Sequence, residues 1–384
     1  MSTTSSALTI LLTLVFATSC KSVIDRQDVR PKVLRDVPAR NLAYRLAPDV
    51  AAPSMDIDDP LEKFGPVATD FSTRRKDEAL LRTVVSPDKR RVLALYGTAD
   101  EPGSTFRIDL YNSDGQFLHN LIPPDIACVF PETVTWSPDG NFINFIAHKR
   151  AMPSPTPTPE FVPETSATPA VPAPSVGPIF APVASFTTEQ IYICNRDGYD
   201  LKPLTTREGL IYFYFVWSPD ATSLVALACK EDEWNARERQ YKTPAGRPRL
   251  IALDGSERLL DDGLTDALPV WSPDASKIAT AFDTDVAIYD AGGKTPTQSR
   301  IPLRDPLIEA SVTFEQKTSK KASNAPATTS NVPPSFNPIV RLDWRKPELL
   351  YFETAFVRVM PSETINTFQR WHQLTLSPQA AILK

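Results

Sequence analysis

The chain has 384 residues, a formal net charge of −5 and 42% hydrophobic residues. This mild negative charge excludes the basic field that nucleic-acid binding requires. Four Cys at unrelated spacings exclude a disulfide framework, and no Cys-x-x-Cys or His-x-x-x-His pair indicates a metal site. The chain has 13 Gly and no Gly-rich phosphate-binding loop, so we do not expect a cofactor whose phosphates such a loop would bind. We therefore predict no metal, no cofactor and no nucleic-acid partner.

The N-terminus is typical of an export signal. Residues 1–19 carry no charged side chain, and residues 7–17 are apolar apart from two Thr, which is too short to span a bilayer. The following Ala17-Thr18-Ser19-Cys20 resembles the bacterial lipobox, which implies lipid attachment at Cys20. The alternative is an ordinary signal peptide with a chance Cys. We expect an exported protein of the bacterial cell envelope, lipid-anchored to a membrane on its periplasmic or outer face.

Residues 20–79 show little periodicity and are predicted to be a tether followed by closing strands. Within them, residues 41–46 alternate, with Leu42, Tyr44 and Leu46 on one face of a strand.

A short motif then recurs along the chain and defines a repeat. Trp-Ser-Pro-Asp occurs at Trp136, Trp217 and Trp271, and a decayed copy without Trp begins at Ser86. Ser, Pro, Asp and Gly suit successive positions of a type I turn that joins two antiparallel strands. Each Trp is large enough to be buried between neighbouring sheets. The predicted turn residues are Ser86, Pro87, Asp88, Trp136, Ser137, Pro138, Asp139, Gly140, Trp217, Ser218, Pro219, Asp220, Trp271, Ser272, Pro273 and Asp274.

A second turn follows each motif, as at Asp114-Gly115 and Asp197-Gly198. Four strands per unit, joined by hairpins, make one blade of a β-propeller. These units resemble the repeats of TolB-type six-bladed β-propellers, whose blades carry both turns. The resemblance covers roughly residues 80–384 and implies an all-β propeller of about six four-stranded blades.

This chain departs from the repeat pattern at the position after Asp. Gly stands there only at Gly140, while Lys89, Ala221 and Ala275 occupy it elsewhere. A left-handed residue other than Gly costs about 1–2 kcal/mol. We therefore expect those turns to be strained or of another type.

The blade count and the closure of the ring depend on the ends of the chain. Weak copies of the motif at residues 343–347 and 374–378 count as the fifth and sixth. The last unit has only two strands, at residues 373–376 and 380–383, and its free edge would be a pairing hazard. We expect N-terminal strands to complete that blade, so that a blade shared between the two termini closes the ring.

Two segments interrupt the repeat and are predicted to be disordered inserts, at about 152–184 and 317–335. Ten of the thirty residues from Pro153 to Pro182 are Pro, and the second segment is rich in Ser, Thr, Ala, Asn, Pro and Lys. Neither buries enough apolar surface to offset its ordering entropy.

No residue pattern indicates catalysis. The chain has no Gly-x-Ser-x-Gly elbow, and its three His, at 119, 148 and 372, are isolated in sequence. The recurring Asp residues could bind a cation in the channel, but serving their own turns is the better explanation. Trp234, an aromatic residue in a charged segment, is a possible partner anchor.

We therefore expect a non-enzymatic exported lipoprotein whose TolB-like propeller is a protein-binding scaffold for an envelope protein or peptide. The alternative is a ligand-binding or hydrolytic propeller acting on a sugar, lactone or peptide. A pocket lined by two or more buried carboxylates, or by His148 with a carboxylate, would favour that alternative.

Overall fold

The computed structural model describes residues 33–54, 63–98, 105–150, 186–240, 243–321, 338–360 and 363–378. The predicted signal peptide, Cys20, the first insert and the strand at 380–383 lie outside the described residues. Of the second insert, residues 317–321 end a helix, and the rest lies outside the described part. No helix in the described ranges is both long and apolar enough to cross a membrane.

The described chain is all-β, and most of its sheets have four antiparallel strands, an arrangement consistent with a β-propeller. The N-terminal strand is β1 (Leu42–Val50), which follows two short 3-10 turns. The first sheet contains β2 (Glu78–Val85), β3 (Arg91–Thr98), β4 (Arg107–Asn112) and β5 (Phe117–Asn120). The second sheet contains β6 (Ile126–Val129), β7 (Thr135–Trp136), β8 (Phe142–Lys149), β9 (Gln190–Asn195) and β10 (Lys202–Pro203).

Three further sheets follow. The third contains β11 (Leu210–Trp217), β12 (Ser223–Lys230), β13 (Arg247–Ala252) and β14 (Glu257–Leu259). The fourth contains β15 (Val270–Trp271), β16 (Lys277–Phe282), β17 (Asp285–Asp290) and β18 (Gln298–Pro302). The fifth contains β19 (Ile339–Lys346), β20 (Leu349–Met360) and β21 (Glu363–Pro378), with β1 at its edge. The helices are α1 (Gly65–Arg74), α2 (Glu231–Gln240) and α3 (Arg304–Lys321).

The fifth sheet joins the two ends of the described chain. β1 runs antiparallel to β21, with Tyr44 opposite Leu376 and Leu46 opposite Leu374. The predicted pairing of N-terminal and C-terminal strands is therefore present. The C-terminal part supplies three strands rather than two, because the weak copies near Trp344 and Leu374 lie on β19 and β21 of the same sheet. Five sheets are thus described, and the expected count of about six blades is not confirmed.

Neighbouring sheets pack through apolar layers. Separate clusters of buried residues join the first sheet to the second, the second to the third, the third to the fourth, and the fourth to the fifth. Among the described residues, no such cluster joins the fifth sheet to the first. There α1 covers the free face of the first sheet, with Val67 packed among Val92, Ala94 and Tyr111.

The repeated turns form as the sequence predicts. In each, the Ser hydroxyl donates to the Asp two residues later at 2.5–2.7 Å. Trp136, Trp217 and Trp271 are 5%, 6% and 7% exposed, which confirms their predicted burial.

The position after Asp is left-handed in all four turns. Lys89, Ala221 and Ala275 have φ values of 57–58°, close to the 71° of Gly140. These turns are therefore of the same type as the Gly140 turn and are strained.

Candidate functional site

A cavity of about 990 Å³ lies between four of the five sheets. Its walls come from residues within 132–138 of the second sheet, 213–217 and 243–244 of the third, 266–268 before the fourth, and 338–340 at the start of the fifth. The strands β7, β11 and β19, which contribute to these walls, are edge strands of their sheets. A cavity of this size in such a place is the usual position of a small-ligand site.

An irregular segment of the second sheet shapes one wall. β6 pairs with β8 as far as Val129 opposite Ile146, and β7 resumes with Thr135 opposite Asn144. The five residues 130–134 therefore stand opposite the single residue 145. Phe130 is left-handed, with φ 59°, and Pro131 opens a 3-10 turn. This bulge carries Glu132 and Thr133 into the cavity wall.

Most of the wall is aromatic or aliphatic. Trp136 and Trp217 line the cavity from two neighbouring sheets, and Phe213, Tyr214 and Phe215 of β11 also belong to the wall. Burial raises the pKa of the Tyr214 phenol to about 12, so this hydroxyl stays protonated at neutral pH and can donate a hydrogen bond.

Two carboxylates interrupt the apolar wall. Glu132 lies on the bulge, and its charge partly offsets the burial that lowers the pKa of Arg82 on the neighbouring β2. Asp266 lies at the rim, where Arg237 of α2 donates to it at 3.1 Å. Asp266 is largely exposed, so this ion pair is a weak one.

Helix α2, which holds the predicted anchor Trp234, packs beside this site. The Trp234 ring lies 5.4 Å from Phe213 and 5.9 Å from Phe130, measured between ring centroids. Arg247 donates twice to Glu233 at 2.7 Å and holds the helix on the third sheet. Trp234 is thus half-buried behind the cavity wall rather than projecting as a free anchor, and its role in binding a partner stays a prediction.

Some of the predicted turn residues line the cavity, and others only stabilise their own turns. Trp136, Pro138 and Trp217 line the cavity, while the recurring Asp side chains bond within their own turns. Among the described residues, no group of His, Cys, Asp and Glu side chains could hold a metal ion.

The His and Cys residues that the structure describes lie outside the cavity. His148 Nδ1 is 3.6 Å from Glu189 Oε1, so a His–carboxylate pair exists, but neither residue lines the cavity. His372 is buried, with its Nε2 2.9 Å from Thr354 Oγ1. The three described Cys are free and buried, and burial raises the pKa of each thiol.

Several lining residues were missed by the sequence analysis. Glu132, Thr133 and Asp266 precede the motif-bearing strands and belong to no repeated pattern. One signal was available, because Phe130-Pro131 interrupts an apolar strand shortly before Trp136 and a Pro cannot donate to a central ladder.

Comparison with family models found no match, and comparison with curated proteins found none either. Among solved structures, the chain is similar to an oligogalacturonate lyase in complex with manganese (12% identity, TM-score 0.38, covering 74% of this chain and 63% of that one). It is also similar to prolyl oligopeptidase B from Galerina marginata (9%, 0.41, 88% and 43%) and to the Niastella koreensis GH74 enzyme (11%, 0.31, 74% and 46%). The chain thus spans less than two thirds of each of these proteins.

These neighbours correct one expectation from the sequence. The predicted non-enzymatic scaffold is contradicted, since the similar structures are enzymes: a lyase, prolyl peptidases and a glycoside hydrolase. At these TM-scores and identities the likeness does not extend to a substrate or to active-site residues.

Proposed function

We propose that this protein is a ligand-binding propeller with hydrolytic chemistry, and that a sugar, lactone or peptide occupies the cavity between its sheets. The observation that carries the proposal is the cavity of about 990 Å³, whose apolar wall contains two carboxylates. A mostly apolar concave site with a few convergent polar groups is the common form of a small-ligand site.

A peptide fits this wall better than a sugar does. Leu268 and Val340 are 45% and 43% exposed where they face the cavity, and Pro138, Pro244 and Pro338 lie in the same wall. Such residues favour apolar side chains, whereas a sugar needs a hydrogen-bonding partner for most of its hydroxyls.

Glu132 and Asp266 are the candidates for acid–base chemistry. A carboxylate can take a proton from an attacking water, and a carboxylic acid can give one to the leaving group. Tyr214, which stays protonated, is a further donor in the same wall.

The test is to measure hydrolysis and binding of apolar peptides, neutral oligosaccharides and lactones by the wild type, Glu132→Gln and Asp266→Asn. If either carboxylate acts in catalysis, its amide variant should lower kcat/KM about a hundredfold or more on the substrate found. Glu231→Gln, on the exposed side of α2, is the matched control and should keep wild-type rates. Binding without turnover would remove the hydrolytic half of the proposal, and no binding in any class would overturn it entirely.

We also propose that the fifth sheet closes a TolB-like ring and that Cys20 anchors the exported protein to a membrane. The pairing of β1 with β21 supports the closure, and the lipobox-like residues 17–20 support the anchor. Cys20→Ala should release the protein from the membrane fraction and block processing. An unchanged mass and fractionation would contradict the anchor.

A further inference from the structure

Two buried polar side chains at the junction of the second and third sheets have no protein partner. The side-chain oxygen and nitrogen of Asn144 and the indole nitrogen of Trp217 make no hydrogen bond among the described residues. Asn144 is fully buried and Trp217 is 6% exposed. Buried polar groups are normally paired, because leaving one unpaired costs its full desolvation.

The other two repeat tryptophans show what is unusual about Trp217. Trp136 Nε1 donates to the carbonyl of Val84 at 3.1 Å, and Trp271 Nε1 donates to the carbonyl of Val216 at 3.2 Å. In both cases the acceptor belongs to the preceding sheet. It lies one residue before the residue that takes the Trp position in that sheet, which is Val85 in the first sheet and Trp217 in the third. By that rule the indole N–H of Trp217 should donate to the backbone carbonyl of Thr135, but it does not.

Both groups lie next to the cavity. Asn144 pairs with Thr135, and Thr135 and Trp217 line the cavity wall. Along β8 the side chain of Asn144 shares a face with Phe142 and Ile146, and these pack in the same apolar layer as Trp217. The Phe142 and Trp217 rings are stacked, with 6.4 Å between their centroids.

Residues 130–134 of the adjacent bulge make no ladder bonds with β8, so they can shift without breaking strand pairing, although Phe130 and Val134 pack in the apolar layers. Because Asn144 and Trp217 are closed to bulk water, a hydrogen bond formed there does not compete with solvent.

We propose that Asn144 and Trp217 form a subsite that recognises a peptide bond of an apolar peptide ligand. The carboxamide of Asn144 offers both a donor and an acceptor, and the indole of Trp217 adds one donor. A peptide bond presents one N–H and one C=O, which these groups match. This inference rests on the proposed function, since it assigns the ligand of the same cavity.

The experiment uses a library of acetylated tetrapeptide amides with varied apolar side chains, titrated into the full chain by calorimetry. Trp217→Phe keeps the ring and removes the N–H, and Asn144→Leu keeps the size and removes the amide. Each should weaken binding of the best library member about tenfold or more. Trp271→Phe is the matched control: Trp271 does not line the cavity, so binding should equal that of the wild type.

Melting temperatures separate recognition from folding. Asn144→Leu should melt no lower than the wild type, because it removes an unpaired buried amide. An ester analogue of the best peptide, in which one N–H becomes an oxygen, should bind the wild type about tenfold more weakly at one position. At that position Asn144→Leu should not discriminate between ester and amide.

The outcomes distinguish the two proposals. If Trp217→Phe and Asn144→Leu both bind the peptide as tightly as the wild type, the subsite is overturned and the cavity proposal stands. If a neutral oligosaccharide binds and no peptide does, the peptide assignment is overturned alone. If no peptide, oligosaccharide or lactone binds, both proposals fail.

Discussion

The serine hydroxyl of each repeated turn both donates and accepts hydrogen bonds. It donates to the Asp carboxylate and accepts a backbone N–H from the start of the next strand, as in the bond from Phe142 to Ser137 at 2.9 Å. Burial acts to raise the pKa of Asp139, but its hydrogen bonds from Ser137 and Asn141 outweigh burial and lower that pKa. A three-residue polar unit thus satisfies the groups that a tight turn leaves unpaired.

Backbone strain at the left-handed position after this unit can be tested by substituting Gly for Ala and Ala for Gly. Ala275→Gly should raise the free energy of unfolding by up to about 1 kcal/mol, because relief of about 1–2 kcal/mol of strain exceeds the added chain entropy. Gly140→Ala should lower it by about 1 kcal/mol. A methyl group at Gly140 would meet only Pro87 at 3.5 Å, an ordinary contact, so the backbone effect is isolated. Urea titration measures both changes, and a destabilised Ala275→Gly would contradict the strain.

His372 makes the stability of the fifth sheet depend on pH. Its Nε2 pairs with the hydroxyl of Thr354, and its Nδ1 accepts the backbone N–H of Asp49, which requires the neutral ring. Burial, and then the nearby Arg370, lower the pKa of His372 to about 4, although the Asp49 carboxylate opposes this. The unfolded chain therefore binds the proton more readily than the folded one.

The consequence is a loss of stability on acidification. The contribution of His372 should be complete above pH ~6.5 and should fall by up to about 3 kcal/mol as the pH drops from 6.5 to 4. His372→Gln should reduce the change of the melting temperature with pH in that window. Equal slopes in the wild type and His372→Gln would contradict the assignment.

At the scale of elements, α1 is fastened to the first sheet by a buried charge. Asp109 is fully buried and accepts from Arg75 at 2.8 and 3.0 Å, from Tyr96 at 3.1 Å and from Asn120 at 2.8 Å. Arg75 immediately follows α1 and also lies over the Tyr96 ring at 4.1 Å. The ion pair therefore fixes the end of α1 on the sheet face that no other sheet covers.

Breaking this pair should be costly because it leaves a buried carboxylate uncompensated. Arg75→Met should lower the free energy of unfolding by about 3–5 kcal/mol. Adding Asp109→Asn should restore part of the loss. Arg74→Met, which removes a solvent-exposed pair with Asp70, should cost much less than Arg75→Met. Chemical denaturation of the four proteins gives the comparison, and similar losses for Arg74 and Arg75 would show that the buried charge is unimportant.

At the scale of the whole molecule, the segment before the first sheet holds distant parts together. Lys277 is 2% exposed, and its ammonium donates to the carbonyl of Val37 at 2.7 Å and to Asp290 at 2.9 Å. The N–H of Ala39 also donates to Asp290, at 3.0 Å. β1 then continues this segment along the edge of the fifth sheet.

Removing the segment should therefore damage the fold globally. A chain that begins at residue 51 would expose the edge of β21 and strip the Lys277–Asp290 pair of two backbone partners. It should aggregate or lose cooperative unfolding, whereas a chain that begins at residue 33 should melt like the full chain. Size-exclusion chromatography and calorimetry make the comparison. A soluble shorter chain with an unchanged melting curve would show that closure does not need β1.

The amino-acid sequence by itself determined the repeated turns, the burial of their tryptophans and the pairing of the terminal strands. The turn interactions connect residues within five positions of each other, and burial follows from ring size, so both are local properties. The terminal pairing was predictable because an open sheet edge must be covered.

Only the tertiary structure decided how many sheets form and where the cavity lies. The motifs near Trp344 and Leu374 suggested two units, but a long hairpin places both on one sheet. The cavity wall combines Glu132, on the bulge of one sheet, with Asp266, which lies more than a hundred residues away in the chain. Such convergence is set by how strands pair and sheets pack, and no local pattern of residues encodes it.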